Sequence, residues 1–195
     1  VFAVGMGREV YRRDEANIWR SVDEGTVLLE DDAFHGFESI EDSTILVAMN
    51  TIILSCSLNE ESNSRKMAEE LHRNWRRADT ASELVDLRDF DLPLCDGGSA
   101  YAHPNTIRFE EKLASADAAV FAVPIYNFDV NAVAKNLIEL TGRAWENKVV
   151  GFLCSAGGQA SYMSLMGVAN SLMLDFRCII IPRYVYATGD AFDDN

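Results

Sequence analysis

The sequence predicts an α/β fold, a parallel sheet with helices on both faces. Three observations predict it. From Thr51 onward, short apolar runs alternate with stretches of helical period. The runs are rich in Val, Ile and Leu and show little polar alternation, as strands buried on both faces do. Three of the runs end in loops, Ser55–Ser64, Pro124–Phe128 and Ser155–Gln159, that should share one edge of the sheet. Strands of this kind separated by helices build a parallel sheet covered on either side, with right-handed crossovers.

The strand candidates are Thr51–Cys56, Glu83–Leu87, Ala118–Val123, Val149–Cys154 and Cys178–Ile181. The helix candidates are Ser64–Arg76, Thr106–Leu113, Val130–Thr141 and Ala160–Leu174. In the first helix Met67, Leu71 and Trp75 recur every four residues and mark one face. Asp89–Pro104 has two prolines, a paired glycine and no period, and reads as a loop with Asp89, Asp91 and Asp96 on a solvated face. Ala160–Leu174 and Val130–Ile138 are apolar almost all round, so each should be buried on more than one side.

Residues 1–49 have a different rhythm. Val1–Val4, Glu9–Arg12, Ile18–Ser21, Val27–Leu29 and Thr44–Ala48 are short runs between Gly- and Asp/Glu-rich turns, the pattern of small antiparallel strands. Phe2, Val4, Met6, Val10 and Tyr11 echo Ile45, Val47, Met49, Ile53 and Leu54 at an offset of 43 residues. A period of about 40–45 residues belongs to propeller blades, and VFAVGMGREVYRR with IWRSVD resembles one blade of a β-propeller repeat protein. One blade cannot bury both its faces alone. Equally, Met49 reads as a natural start, with the preceding residues as upstream or fused sequence. Gly5-Met6-Gly7 is no dinucleotide fingerprint, because no helical pattern follows it.

Composition narrows the function. A chain of 195 residues, 48% hydrophobic, holds one domain of ordinary size with a small appendage. The net charge of −14 argues against nucleic acid and anionic membrane surfaces as partners. No apolar run reaches the ~18 residues of a membrane span. Cys56, Cys95, Cys154 and Cys178 have no metal spacing, and the three histidines are scattered, so no metal site is expected. Thiols in apolar runs suit a reducing, cytoplasmic setting better than a disulfide framework.

Three loops should meet at the carboxyl edge of the sheet, where open parallel sheets bind ligands. The first, Ser55–Ser64, leads from strand to helix. A helix start carries roughly half a positive charge and unpaired N–H groups. Ser57, Ser62 and Ser64 add hydroxyls and Arg65 a charge, which together suit a phosphate. A helix capped by Ser62 or Ser64 accounts for the same residues. The second loop, Pro124-Ile125-Tyr126-Asn127-Phe128, offers a flat apolar wall. The third, Ser155-Ala156-Gly157-Gly158-Gln159, permits close backbone approach. Such walls suit a planar ring attached to a phosphate. The acidic surface does not forbid this, since exposed charges are damped beyond about 8 Å at physiological salt.

With those residues in view, 50–195 resembles the NADPH-dependent FMN reductase family. The carrying stretches are SCSLNEESNSRKMA at 55–68, VPIYNFDVNAVAKNLIEL at 123–140 and CSAGGQASYMSLMGVANSLM at 154–173, with DLRDFDLPLCDG at 86–97. The resemblance implies a flavodoxin-like three-layer sandwich of strand order 2-1-3-4-5. It implies that Ser57, Ser62, Ser64 and Arg65, with Asn63 nearby, surround the FMN phosphate. Pro124, Ile125, Tyr126 and Asn127 would line the isoalloxazine ring, and Ser155, Ala156, Gly157 and Gly158 its other polar edge. It further implies NADPH or NADH as hydride donor, a small-molecule acceptor such as free flavin or a quinone, no classical catalytic side chain, and a homodimer or homotetramer.

The chain departs from the family at Cys56, where the first family glycine stands, and at Asn59, where an arginine is common. The second change removes a charged hydrogen bond of about 1–3 kcal/mol, and Glu60 and Glu61 add negative charge. The fold's usual last helix is missing after the fifth strand, which predicts a truncated domain and an uncovered apolar strip over the first, third and fourth strands. Two alternatives share the fold. A non-enzymatic electron carrier or binding module is one, though flavodoxins have shorter, threonine- and glycine-rich phosphate loops. A phospho-accepting receiver is the other, but Ser55-Cys56-Ser57 and Ile181-Pro182-Arg183 stand where it needs aspartates and a lysine.

Overall fold

The computed structural model describes residues 3–4, 10–13, 19–22, 49–78 and 80–192. Two units are distinguished, Val1–Val47 and Ala48–Asn195. In the first, β1 (Ala3–Val4), β2 (Val10–Arg13) and β3 (Trp19–Val22) form an antiparallel sheet in that order. The predicted strands Val27–Leu29 and Thr44–Ala48 lie outside the described residues.

The second unit is the predicted parallel sheet. Its strands are β4 (Thr51–Ser55), β5 (Ser82–Asp86), β6 (Ala118–Tyr126), the short β7 (Asp129–Val130), β8 (Val149–Ser155), β9 (Ile179–Ile180) and β10 (Val185–Ala187). The order is β10-β8-β6-β4-β5, with β9 beside β8, which is the expected 2-1-3-4-5. All these pairs are parallel except β6 with β7. Helices α1 (Asn63–Arg77), α2 (Pro104–Ala114), α3 (Ala132–Thr141) and α4 (Met166–Phe176) follow β4, β5, β7 and β8.

The core lies on both sheet faces, as the continuous apolar runs require. On one side Phe121 stacks between Trp145 and Phe152, with ring centroids 4.9 and 5.5 Å apart. Trp145 is fully buried, and its indole N–H donates to Thr141 Oγ1 at 2.8 Å, which satisfies the polar end of the ring. On the other side Met67, Leu71 and Trp75 of α1 pack on Ile53, Val120, Ala122 and Leu153. The uncovered strip expected over the first, third and fourth strands is therefore not found there: Ile53, Val120 and Leu153 are buried. Apolar exposure instead falls on the fifth strand position, at Ile179, Ile181 and Val185.

Four stretches differ from expectation. The fifth strand, predicted as Cys178–Ile181, is split into β9 and β10, because Pro182 has no N–H to continue a ladder. The third helix begins at Ala132 rather than Val130, because Val130 is drawn into a hairpin against Ile125. The fourth helical stretch starts as a 3-10 segment, Gln159–Leu165, before α4. The Asp89–Pro104 loop contains a short 3-10 turn, Ser99–Ala102. Asp96 organises it by accepting from Gly98 N, Ala100 N and Ser99 Oγ.

Candidate functional site

Register brings the three loops together. Ser55 pairs with Ala122, Pro124 with Ser155, and Ser155 with Ala187, so β4, β6, β8 and β10 end side by side at one edge. The chain then leaves β4 toward α1 on one side of the order reversal and leaves β6 toward α3 on the other. The crevice at such a reversal is where open sheets take ligands.

The first loop runs from Cys56 into α1. Ser57, Ser62 and Ser64 are all buried. Ser62 is the N-cap, its Oγ accepting from Arg65 N at 3.3 Å, and it lies 2.9 Å from Ser64 Oγ. Asn63 opens the helix, half-buried beside them. Ser57 Oγ accepts from Asn59 N, and Asn59 Oδ1 from Glu61 N, so the loop is folded by its own short side chains. The first turn of α1 has no acidic residue to cancel the helix charge. Arg65 faces Glu69 at 2.9 Å and Asp86 at 3.6 Å, so its charge is shared with two carboxylates. Asp86 also holds Arg88 in a two-pronged pair. Partial burial raises the Asp86 carboxyl, but hydrogen bonds from Arg88 and the charges of Arg88 and Arg65 outweigh it and leave its pKa below the usual value.

The second loop is a tight hairpin. Tyr126 pairs with Asp129 across Asn127 and Phe128, both at positive φ, +52° and +63°. Two such residues make the turn that matches strand twist. An aromatic residue there is backbone strain of the kind found at functional sites. Pro124 and Ile125 are buried, Ile125 in the main core, while Tyr126, Asn127 and Phe128 are exposed. Sequence reading gave this loop its location but not its hairpin.

The third loop leaves β8 at Ser155, with Ala156 buried and its N–H donating to Ala187 O at 2.9 Å. Gly157 and Gly158 are exposed, neither has positive φ, and a Cβ on either would meet nothing within 4 Å. Neither backbone strain nor protein packing therefore calls for glycine here.

Two residues that sequence reading missed tie the loops. Asn131 is buried, and its Nδ2 donates to Cys56 O at 2.7 Å. The parallel ladder, in which Cys56 N donates to Ala122 O, would next ask Pro124 for an N–H to Cys56 O. Proline has none, and the Asn131 amide fills the gap. A proline at a strand end and an asparagine before a helix were the available signals. Tyr186 on β10 donates to Gly158 O at 2.6 Å; it went unseen because the fifth strand was ended at Ile181. Asn131 Oδ1 and Ser55 Oγ are buried without hydrogen-bond partners among the described residues.

The donor set fits a phosphate bearing a flat ring: buried hydroxyls at a helix start, an aromatic-tipped hairpin, and an open pair of glycines. Among the described residues no group of His, Cys, Asp and Glu is placed to hold a metal.

Strand order, with the three loops at one carboxyl edge, defines an open α/β protein of flavodoxin-like class. The chain belongs to the NADPH-dependent FMN reductase family, whose model matches residues 49–193. It is 29% identical over 114 residues to an NAD(P)H-dependent FAD/FMN reductase of Geobacillus thermodenitrificans, covering 57% of this chain and 62% of that protein. It is 28% identical over 177 residues to an FMN-dependent NADH:quinone oxidoreductase of Bordetella petrii, covering 73% and 85%. Among solved structures, the flavoenzyme NAD(P)H:(acceptor) oxidoreductase FerB of Paracoccus denitrificans superposes with a TM-score of 0.62 at 19% identity. That match covers 75% of this chain and 84% of FerB, a likeness of fold. The chain spans less than two thirds of the Geobacillus relative's length.

Proposed function

We infer that this protein is an FMN-dependent NAD(P)H oxidoreductase that passes electrons to a small acceptor such as free flavin or a quinone. The observation that carries this is the convergence of the three loops at the carboxyl ends of β4, β6 and β8. Family membership and the activities named for the Geobacillus and Bordetella relatives support it.

FMN, when bound, supplies hydride uptake from a nicotinamide and release of the electrons to the acceptor. The chain's residues bind and orient. Ser57, Ser62, Asn63 and Ser64 take the phosphate with the N-terminus of α1, and Arg65 adds positive charge behind them. Pro124, Ile125, Tyr126 and Asn127 form one wall for the ring, and backbone groups of Ser155, Ala156, Gly157 and Gly158 meet its polar edge. No side chain is assigned as acid or base.

The protein is read as cytoplasmic, in keeping with four free thiols, and no helix among the described residues is long and apolar enough to cross a membrane. A homodimer or homotetramer is proposed. The stretch expected to be buried on several sides exposes Tyr162, Met163, Met166, Met173 and Leu174 in the single chain, surface that a second copy would cover. Light scattering with and without residues 1–48 tests this.

The deciding experiment mixes the purified chain with FMN, removes air, and adds NADPH or NADH in separate cuvettes. A bound yellow flavin that bleaches, and recovers with a quinone, is expected. A chain that takes up no FMN overturns the reading. Bound FMN that neither nucleotide bleaches favours the non-enzymatic carrier.

A further inference from the structure

The third loop has two glycines in sequence, no side chain packed at either, and open space beside both. A glycine pair has more backbone freedom to lose than any other pair of residues. Something outside the loop must therefore hold it if its N–H groups are to meet a ligand in fixed geometry. Two bonds from the fifth strand do so. At the near end, Ala156 N donates to Ala187 O at 2.9 Å. At the far end, the Tyr186 hydroxyl donates to Gly158 O at 2.6 Å.

The hydroxyl is itself held. Ser161 Oγ lies 2.7 Å from Tyr186 Oη. A carbonyl only accepts, so the phenol proton is committed to Gly158 O, and Ser161 is the donor to the phenol oxygen. The Tyr186 ring meets Tyr162 edge-on, with centroids 5.3 Å apart at 63°. Tyr162 in turn stacks on Tyr184 at 4.8 Å, and the Tyr184 hydroxyl donates to Tyr162 O. Burial, with the neighbouring Tyr162 phenol, pushes the Tyr184 phenol up to about 12, so it stays protonated across the physiological range. Because the peptide is planar and trans, fixing Gly158 O toward Tyr186 turns the Gln159 N–H the opposite way.

We propose, on the flavin reading above, that Tyr186 is a positioning residue for the oxidoreductase. Through its hydrogen bond to Gly158 O it sets the glycine loop against the polar edge of the flavin ring.

The test uses the full chain with Tyr186→Phe and, as control, Tyr184→Phe, which removes a hydroxyl from the same aromatic cluster but not from the loop. Without any cofactor, hydrogen exchange at Gly157–Gln159 should speed up in Tyr186→Phe and stay unchanged in Tyr184→Phe. With FMN, Tyr186→Phe should bind about 2- to 10-fold more weakly, the equivalent of one neutral hydrogen bond. It should also shift the flavin absorption band and midpoint potential and lower kcat, while KM for the nicotinamide and the melting temperature stay near wild type. Ser161→Ala should move the same readouts in the same direction by less, and serves if Tyr186→Phe fails to fold. Wild-type exchange, spectrum and potential in both variants would overturn the assignment. A wild-type chain that itself takes up no FMN overturns the flavin reading instead, and that arm is read separately.

Discussion

Replacing Asn131 by alanine should destabilise the second unit through a hydrogen bond that no secondary-structure pattern contains. Asn131 is 5% exposed and Cys56 0%. The bond between them, Nδ2 to Cys56 O, is 2.7 Å. It stands in for the ladder bond that Pro124 cannot donate. Alanine leaves Cys56 O buried without that donor, a loss of about 1–3 kcal/mol. For a chain of this size each kcal/mol moves the melting temperature by about 2–4 °C. Far-UV circular dichroism melts at fixed pH measure it. The reasoning also makes a non-additive prediction. Pro124→Ala restores an N–H at the ladder position, so the double variant should be less destabilised than the sum of the two single ones. The expected coupling is about 0.5–1.5 kcal/mol. An Asn131→Ala variant that melts with wild type, or a strictly additive double variant, would refute the account.

Three further outcomes follow from the structure. Backbone N–H groups of Ala100 and Gly98 and the Ser99 hydroxyl hold the Asp96 carboxyl at about 2. A folded-state value below the unfolded one, ~3.9, gives stability that is present above pH ~4 and lost as pH falls toward 2; melting curves of Asp96→Asn should show less dependence on pH across that window. Trp145→Ala removes a fully buried ring stacked on Phe121 and should cost about 3–5 kcal/mol in urea denaturation, by the usual cost of deleting a large core ring. Cys56, Cys154 and Cys178 are buried, and burial raises each thiol, Cys154 to about 12; mass spectrometry after brief alkylation should therefore find Cys95 labelled first, and the others only on unfolding.

Much of this protein was legible in its sequence because the relevant physics is local. A strand buried on both faces must be apolar throughout, so Ile52–Leu54, Ala118–Val123 and Val150–Cys154 declared themselves as central strands. One helical face must repeat every three or four residues, so Met67, Leu71 and Trp75 located α1 and its packing side. Alternation of the two then led to strand order 2-1-3-4-5 through the family resemblance, and three loops at one edge followed from that order. Other features depend on partners far apart in the chain, and composition carries no trace of them. Nothing near Cys56 says that its carbonyl will be met by Asn131, 75 residues on. Nothing near Gly158 says that Tyr186 will hold it, 28 residues on. Pro182 hid the far half of the fifth strand, since a broken ladder also breaks the apolar run. The pairing of Arg65 with Asp86 needed β5 in place beside β4. Periodicity and turn chemistry are written residue by residue; which donor reaches which acceptor is decided only when the sheet closes its register.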